Sequence, residues 1–268
     1  MKKIFVILLL AISPVIFTAA ITQAAAPGAE KPGDKYFVLR NTIKEPDKAI
    51  ANINLAIESY KKAFEADKTN PVSLLKYVKA SDFKYRYLTT GASKEKKAVY
   101  EALIAQFVPL EKKLSGTKEY NYVMALLWGR RGEITQNTYD TANKAVVESI
   151  KKYAEALYAI DRTFEGYFAC KILGRIHYIA PNIPIFMTWP DRKRSKAYLE
   201  EMIKGNPGNT EGKMFLADTL WAADDRKTAT KLYREVVSLP PRNDNWFYDT
   251  RAIKLCGERM KELQIKQK

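Results

Sequence analysis

Side chains that perform chemistry are scarce in this sequence. One histidine, His177, and two cysteines, Cys170 and Cys256, occur in 268 residues. A Ser-His-Asp or Cys-His site would have to use His177, which sits between Ile176 and Tyr178 with no nucleophile motif beside it. One imidazole and two thiols cannot complete a closed zinc site without carboxylates, and no ligand spacing of that kind is present. Two cysteines do not make a disulfide scaffold, and they fall on separate helical segments, so two buried thiols are expected rather than a bridge. The 12 glycines are scattered and G-x-x-x-x-G-K-[ST] is missing, which excludes a phosphate-binding loop of that type. Acid is the minority charge: 45 Lys and Arg stand against 30 Asp and Glu, a formal +15. The acidic pairs Glu200-Glu201 and Asp224-Asp225 lie beside basic residues on expected helix surfaces and in turns, not in a desolvated cleft. Alternating strand patterns flanked by hairpin turns are absent, so a sheet is not expected. No enzyme, cofactor or metal follows from these residues.

What is present begins with an export pattern. Lys2 and Lys3 precede the apolar stretch IFVILLLAISPVIFTAA, and small residues follow in ITQAAAPGAE. That is the order of a signal peptide, residues 1–26, cleaved near Ala24 to Ala26. A retained anchor is the alternative, but Pro14, Thr22 and Gln23 weaken a stretch of the roughly 20 apolar residues needed to span a bilayer. No other long apolar segment occurs, so the expectation is a soluble, periplasmic mature chain. Its positive surplus favours acidic partners outside the cytoplasm. Aromatic interleaving of the kind that binds single-stranded nucleic acid is absent.

Residues 27–43 hold Pro27, Gly28, Pro32 and Gly33 without periodicity and read as a flexible leader. From there the spacing is helical. Ile53, Ala56, Ile57, Tyr60, Ala63 and Phe64 recur at steps of three and four, and KTNP at 68–71 breaks the run where Pro71 can open the next helix. Further helix-sized segments fall at about 72–89, 94–114, 119–134, 139–161, 165–179, 191–204, 211–223, 225–238 and 246–265. The clearest repeat unit is 211–241. Leu216, small Ala217 and Leu220 occupy its first helix, Ala229 and Tyr233 its second, and Pro240-Pro241 closes it. The small residue allows a close helix crossing, the aromatic fills the groove to the next hairpin, and Pro241 stops the chain from continuing as helix. Gly174 supplies the same small crossing residue in an earlier unit, and partial copies occur at 56–71, 153–166 and 195–207.

The fold expected is therefore all-α, antiparallel helical hairpins stacked as a right-handed solenoid of tetratricopeptide type over 44–245, with 246–268 as a C-terminal capping helix. The run FEGYFACKILGRIHYIAP, then DRKRSKAYLEEMIKGNPGNTEGKMFLADTL and LYREVVSLPPRND, resembles the tetratricopeptide T component associated with bacterial TRAP-type transporters. It is less similar to helical-repeat regulators of microtubule dynamics. The first resemblance spans about 153–250. It implies a periplasmic scaffold that docks a solute-binding protein and holds a hydrophobic ligand, with no catalytic residue.

Two features suggest where binding occurs. PNIPIFMTWP at 181–190 carries three prolines and the apolar Ile185, Phe186, Met187 and Trp189. It is either a plug folded into the core or a docking patch anchored by Phe186 and Trp189. Arg192, Lys193, Arg194 and Lys196 form a basic patch just after it, and Lys94, Lys96 and Lys97 form another. The leading functional expectation is a non-enzymatic, exported scaffold binding a protein through its concave face and the 181–190 loop. The alternative is a carrier of a small hydrophobic ligand in a pore lined by Trp128, Tyr167 and Trp189.

Overall fold

A computed structural model describes residues 31–89, 93–133, 143–185 and 187–265. The expected signal peptide and Phe186 lie outside the described residues. Those described form eleven helices of eight residues or more and one single-turn helix, with no strand among them. In chain order these are α1 (Lys31–Val38), α2 (Pro46–Ala66), α3 (Pro71–Phe83), α4 (Ser93–Phe107), the short α5 (Glu111–Leu114), α6 (Lys118–Gly132) and α7 (Lys144–Asp161). There follow α8 (Phe164–Ile179), α9 (Arg192–Gly205), α10 (Thr210–Ala222), α11 (Arg226–Ser238) and α12 (Trp246–Glu262). None is long and apolar enough to cross a membrane.

Local chemistry sets the boundaries. The Asn70 side chain accepts from the backbone N–H groups of Val72 (3.0 Å) and Ser73 (3.1 Å), with Pro71 at the first helical position, where its missing donor costs nothing. Thr117, Asn143, Asp191, Asn209 and Asp225 cap α6, α7, α9, α10 and α11 in the same way. Pro109 divides the expected 94–114 helix into α4, a 3-10 turn at Val108–Leu110 and α5, because proline removes a backbone donor. After α3 the chain widens into a π-turn at Lys84–Leu88.

The leader departs from its expectation. Residues 31–38 are helical, and a 3-10 turn follows at Leu39–Asn41. Tertiary contacts impose this on a sequence rich in glycine and proline: Tyr60 donates to Asp34 (2.7 Å), Lys76 pairs with Asp34 (2.9 Å), and Phe37 packs edge-on against Tyr60 and Phe83.

Each helix packs mainly on its neighbours in sequence, α2 on α3, α6 on α7, α8 on α9, α10 on α11. At Gly174 a Cβ would lie 2.5 Å from Leu199 Cγ, so α8 and α9 cross too closely for any side chain there. Leu216, Ala217, Leu220, Ala229 and Tyr233 are all buried in the C-terminal core, and Pro241 follows the end of α11. Helices α3, α6 and α10 are buried on nearly every side, whereas α11 keeps one apolar stripe.

The last helix does more than cap. Besides α10 and α11, it meets the N-terminal helices: Phe247 packs on Phe83 (5.3 Å between centroids) and Tyr248 on Tyr87 (4.6 Å). Lys44 lies over the Trp246 ring at 4.2 Å. The early and late helices described thus touch, and the row of helices partly surrounds an interior.

Candidate ligand-binding interior

A cavity of about 270 Å³ lies in that interior, walled by α3, the π-turn, α6, α8, α10 and α12. Its lining is polar. Five cations, Arg40, Lys79, Arg130, Lys171 and Arg242, face four carboxylates, Asp82, Glu165, Glu211 and Asp249. Arg130 holds Asp82 with two bonds, 2.7 and 3.1 Å, and Tyr100 donates to the same carboxylate. Burial alone would push the Asp82 carboxyl up, but Arg130 and Arg86 outweigh it and hold it below the ordinary aspartate value.

Beside the cavity the pairs merge into a network that ties distant parts of the chain. Glu211, on α10, accepts from Lys171 (2.8 Å) and Arg251 (3.1 Å), with Arg86 at 3.5 Å. Glu133, just after α6, accepts from Arg251 (3.0 Å) and also from Arg86. Burial would raise the Glu211 carboxyl, yet the charges of Lys171, Arg86 and Arg251 keep it well below the usual range. Arg242 and Asp249 form a further pair, joined by Thr210 donating to Asp249.

Three phenols and one guanidinium lining the cavity are left incomplete. The hydroxyls of Tyr87, Tyr122 and Tyr248 have no hydrogen-bond partner among the described residues, although Tyr122 is only 8% exposed. Burial pushes all three phenols up, Tyr248 to about 12, so they remain protonated donors. Arg40 donates Nη1–H to the Phe37 carbonyl (2.8 Å) and lies over the Phe37 ring, but it makes no ion pair among the described residues, and its Nε is buried without a partner.

Neither a protein-family model nor a curated protein matches this chain.

One wall of the interior is built on unusual backbone. Glu165, Gly166 and Tyr167 have φ of 49°, 67° and 66°, a full left-handed turn at the head of α8. Only glycine adopts such angles freely, and each other residue costs about 1–2 kcal/mol. The turn is held by its neighbours. Lys79 pairs with Glu165 (2.6 Å), Asn206 donates to the Gly166 carbonyl (3.3 Å), and the Tyr167 ring lies across Gly205, where no Cβ would fit.

The aromatics expected to line a pore lie elsewhere. Trp128 is half-buried against the main core, with its indole N–H unpartnered among the described residues. Tyr167 packs on the C-terminal core, and Trp189 donates to Glu148 (2.8 Å) while meeting His177 edge-on at 5.1 Å. Phe168, Tyr87, Tyr122 and Tyr248 line the cavity instead.

The 181–190 segment divides its roles. Ile183 and Met187 exchange two backbone hydrogen bonds, 2.9 and 2.8 Å, closing a tight loop. Met187 is 1% exposed and packs with Val147 and Ala180, so it does plug the core. Ile185, at the tip, is 93% exposed with φ of 72°, a conformation that a β-branched side chain rarely adopts. Arg192, Lys193, Arg194 and Lys196 are exposed in the first turns of α9. Asp191 accepts from the backbone of Lys193 and Arg194, and Arg192 reaches the Ala222 carbonyl.

His177 and the thiols are enclosed. His177 Nδ1 accepts from the Asp191 N–H (3.2 Å), and its ring sits between Trp189 and Tyr198. Burial, helped by Arg194, lowers its pKa to about 4. Cys170 and Cys256 are free, buried thiols, each pushed by burial to about 12. Among the described residues no three His, Cys, Asp or Glu side chains are grouped to hold a metal.

Sequence reasoning missed the inward-facing Asp82, Arg130, Lys171 and Glu211. Each follows helical spacing that reads equally well as a solvated face, and only the closure turns that face inward.

Proposed function

We propose that this protein is a non-catalytic binding protein whose helical hairpins, stacked in the manner of tetratricopeptide repeats, close around an interior that holds a small polar molecule. The single observation that carries this reading is the set of hydroxyls of Tyr87, Tyr122 and Tyr248, without partners among the described residues, that line one partly open cavity. Buried polar groups are normally hydrogen-bonded, so donors left open to a chamber are open to what enters it. The charged lining favours a polar ligand over the apolar one read from the sequence. The hairpin arrangement is supported by the close crossing at Gly174 and by the burial of Ala217, Ala229 and Tyr233. Absence of catalysis is supported by the state of the groups that would act: His177 is neutral and walled in, and both thiols stay protonated.

A second reading, docking of a protein such as a transporter component in the extracytoplasmic space, rests on the exposed Ile185 at a hydrogen-bonded tip. Location outside the cytoplasm rests on the N-terminal sequence.

Native mass spectrometry of gently purified protein tests the first reading. The expected result is a defined small-molecule adduct, retained by wild type and reduced in Tyr122→Phe, whose fold is unchanged because the lost oxygen has no protein partner. Absence of any adduct, together with failure of small polar probes to raise the melting temperature, would overturn it.

A further inference from the structure

We propose that the interior is a site for a small organic carboxylate, with Arg40 as its counter-ion and the hydroxyls of Tyr122 and Tyr248 as its hydrogen-bond donors. This inference rests on the reading of the interior as a ligand site and names the class of ligand.

The charge pattern of the wall selects the sign. Each lining carboxylate already holds a cation: Asp82 has Arg130, Glu165 has Lys79, Glu211 has Lys171, and Asp249 has Arg242. A cationic ligand would find no free carboxylate. Among the five lining cations, Arg40 alone makes no ion pair with a described residue. A guanidinium withdrawn from water without an anion is costly, and a carboxylate brought to it removes that cost.

Counted together with Arg86, Arg251 and Glu133 beside them, the lining groups keep an excess of positive charge, which an anion offsets. The remaining open groups, three phenols, are donors, and they suit the acceptor oxygens of a carboxylate and of hydroxyls beside it.

Size narrows the class. About 270 Å³ lies just below the roughly 300–1,000 Å³ typical of drug-sized pockets. That size and the polar lining suit a hydroxy acid, an amino acid or a sugar acid better than a fatty acid. The left-handed turn from Glu165 to Tyr167 is an independent sign, since strained backbone held in place by its surroundings concentrates at ligand sites.

The test is thermal shift followed by titration calorimetry on the chain lacking residues 1–26, with single probes: lactate, glutamate, gluconate, glucose, glucosamine and inorganic phosphate. Gluconate, glucose and glucosamine have nearly the same size and differ in charge. At least one carboxylate is expected to raise the melting temperature and bind, with affinity falling about tenfold in Tyr122→Phe and at least as much in Arg40→Gln. Ile185→Ser, on the outer loop, should leave binding unchanged. Tyr122-dependent binding of glucose, glucosamine or phosphate in preference to every carboxylate would overturn the ligand class while leaving a polar ligand site standing. Binding of none of the probes, with no adduct in the native mass spectrum, would overturn both.

Discussion

Protonating His177 would place a charge between two aromatic rings, and the protein resists it. The folded pKa is lowered to about 4 from 6.5, so between those values the unfolded chain binds the proton first. The contribution of this residue is fully present above about 6.5 and is lost as pH falls toward 4. Over that span the loss amounts to about 3 kcal/mol. Urea unfolding from neutral pH down to about 5.5 should show its first part, above the range where carboxylates such as Asp82 and Glu211 take up protons in the unfolded chain. In His177→Gln the slope in this window should largely vanish. An unchanged slope would mean that His177 is hydrated in solution. A lone histidine in an apolar run was legible in the sequence as a packed residue. Its partners Trp189 and Tyr198, on other segments, were not.

At the scale of elements, the loop at 181–190 shows how one short segment can satisfy both of the roles its composition suggested. Met187 fills the core and Ile185 faces solvent, with the Ile183–Met187 bridge holding the base of the loop closed. The two roles separate by substitution. Met187→Ser should cost about 2–4 kcal/mol in urea denaturation, as for other buried truncations. Ile185→Ser should change stability by no more than about 0.5 kcal/mol. If Ile185 docks a protein, a partner cross-linked by the wild-type chain should be lost in Ile185→Ser; equal cross-linking in both would leave the tip without that role. The start of α8 teaches a different point. Residues 165–167 read as an ordinary helix start, and nothing in Glu165 or Tyr167 announces left-handed backbone. Contacts with Lys79, Asn206 and Gly205 impose it.

For the whole molecule, the decisive contacts join α12 to segments distant from it in sequence. Arg251 on α12 bonds both Glu133 and Glu211, and removing it would leave two largely buried carboxylates short of a cation. Because Lys171 and Arg86 still hold the two carboxylates, Arg251→Met should cost about 1.5–3 kcal/mol. Pairing it with Glu133→Gln should recover part of that loss. A loss below about 1 kcal/mol in the single variant would show that the aromatic contacts of Phe247 and Tyr248 carry the closure without the ion network.

Helical periodicity and the break at Pro71 are local, so the sequence by itself determined the all-helical class and most helix positions, though the division of 94–114 at Pro109 was not read from it. The small residues at Gly174, Ala217 and Ala229 likewise marked the close packing between consecutive helices. Closure could not be read this way, because an inward polar residue and a solvated one obey the same spacing. Whether Asp82, Glu211 and Tyr122 face water or one another depends on where α12 meets α3. That is a contact between segments more than 150 residues apart, which no local pattern encodes, and only the tertiary structure decided it.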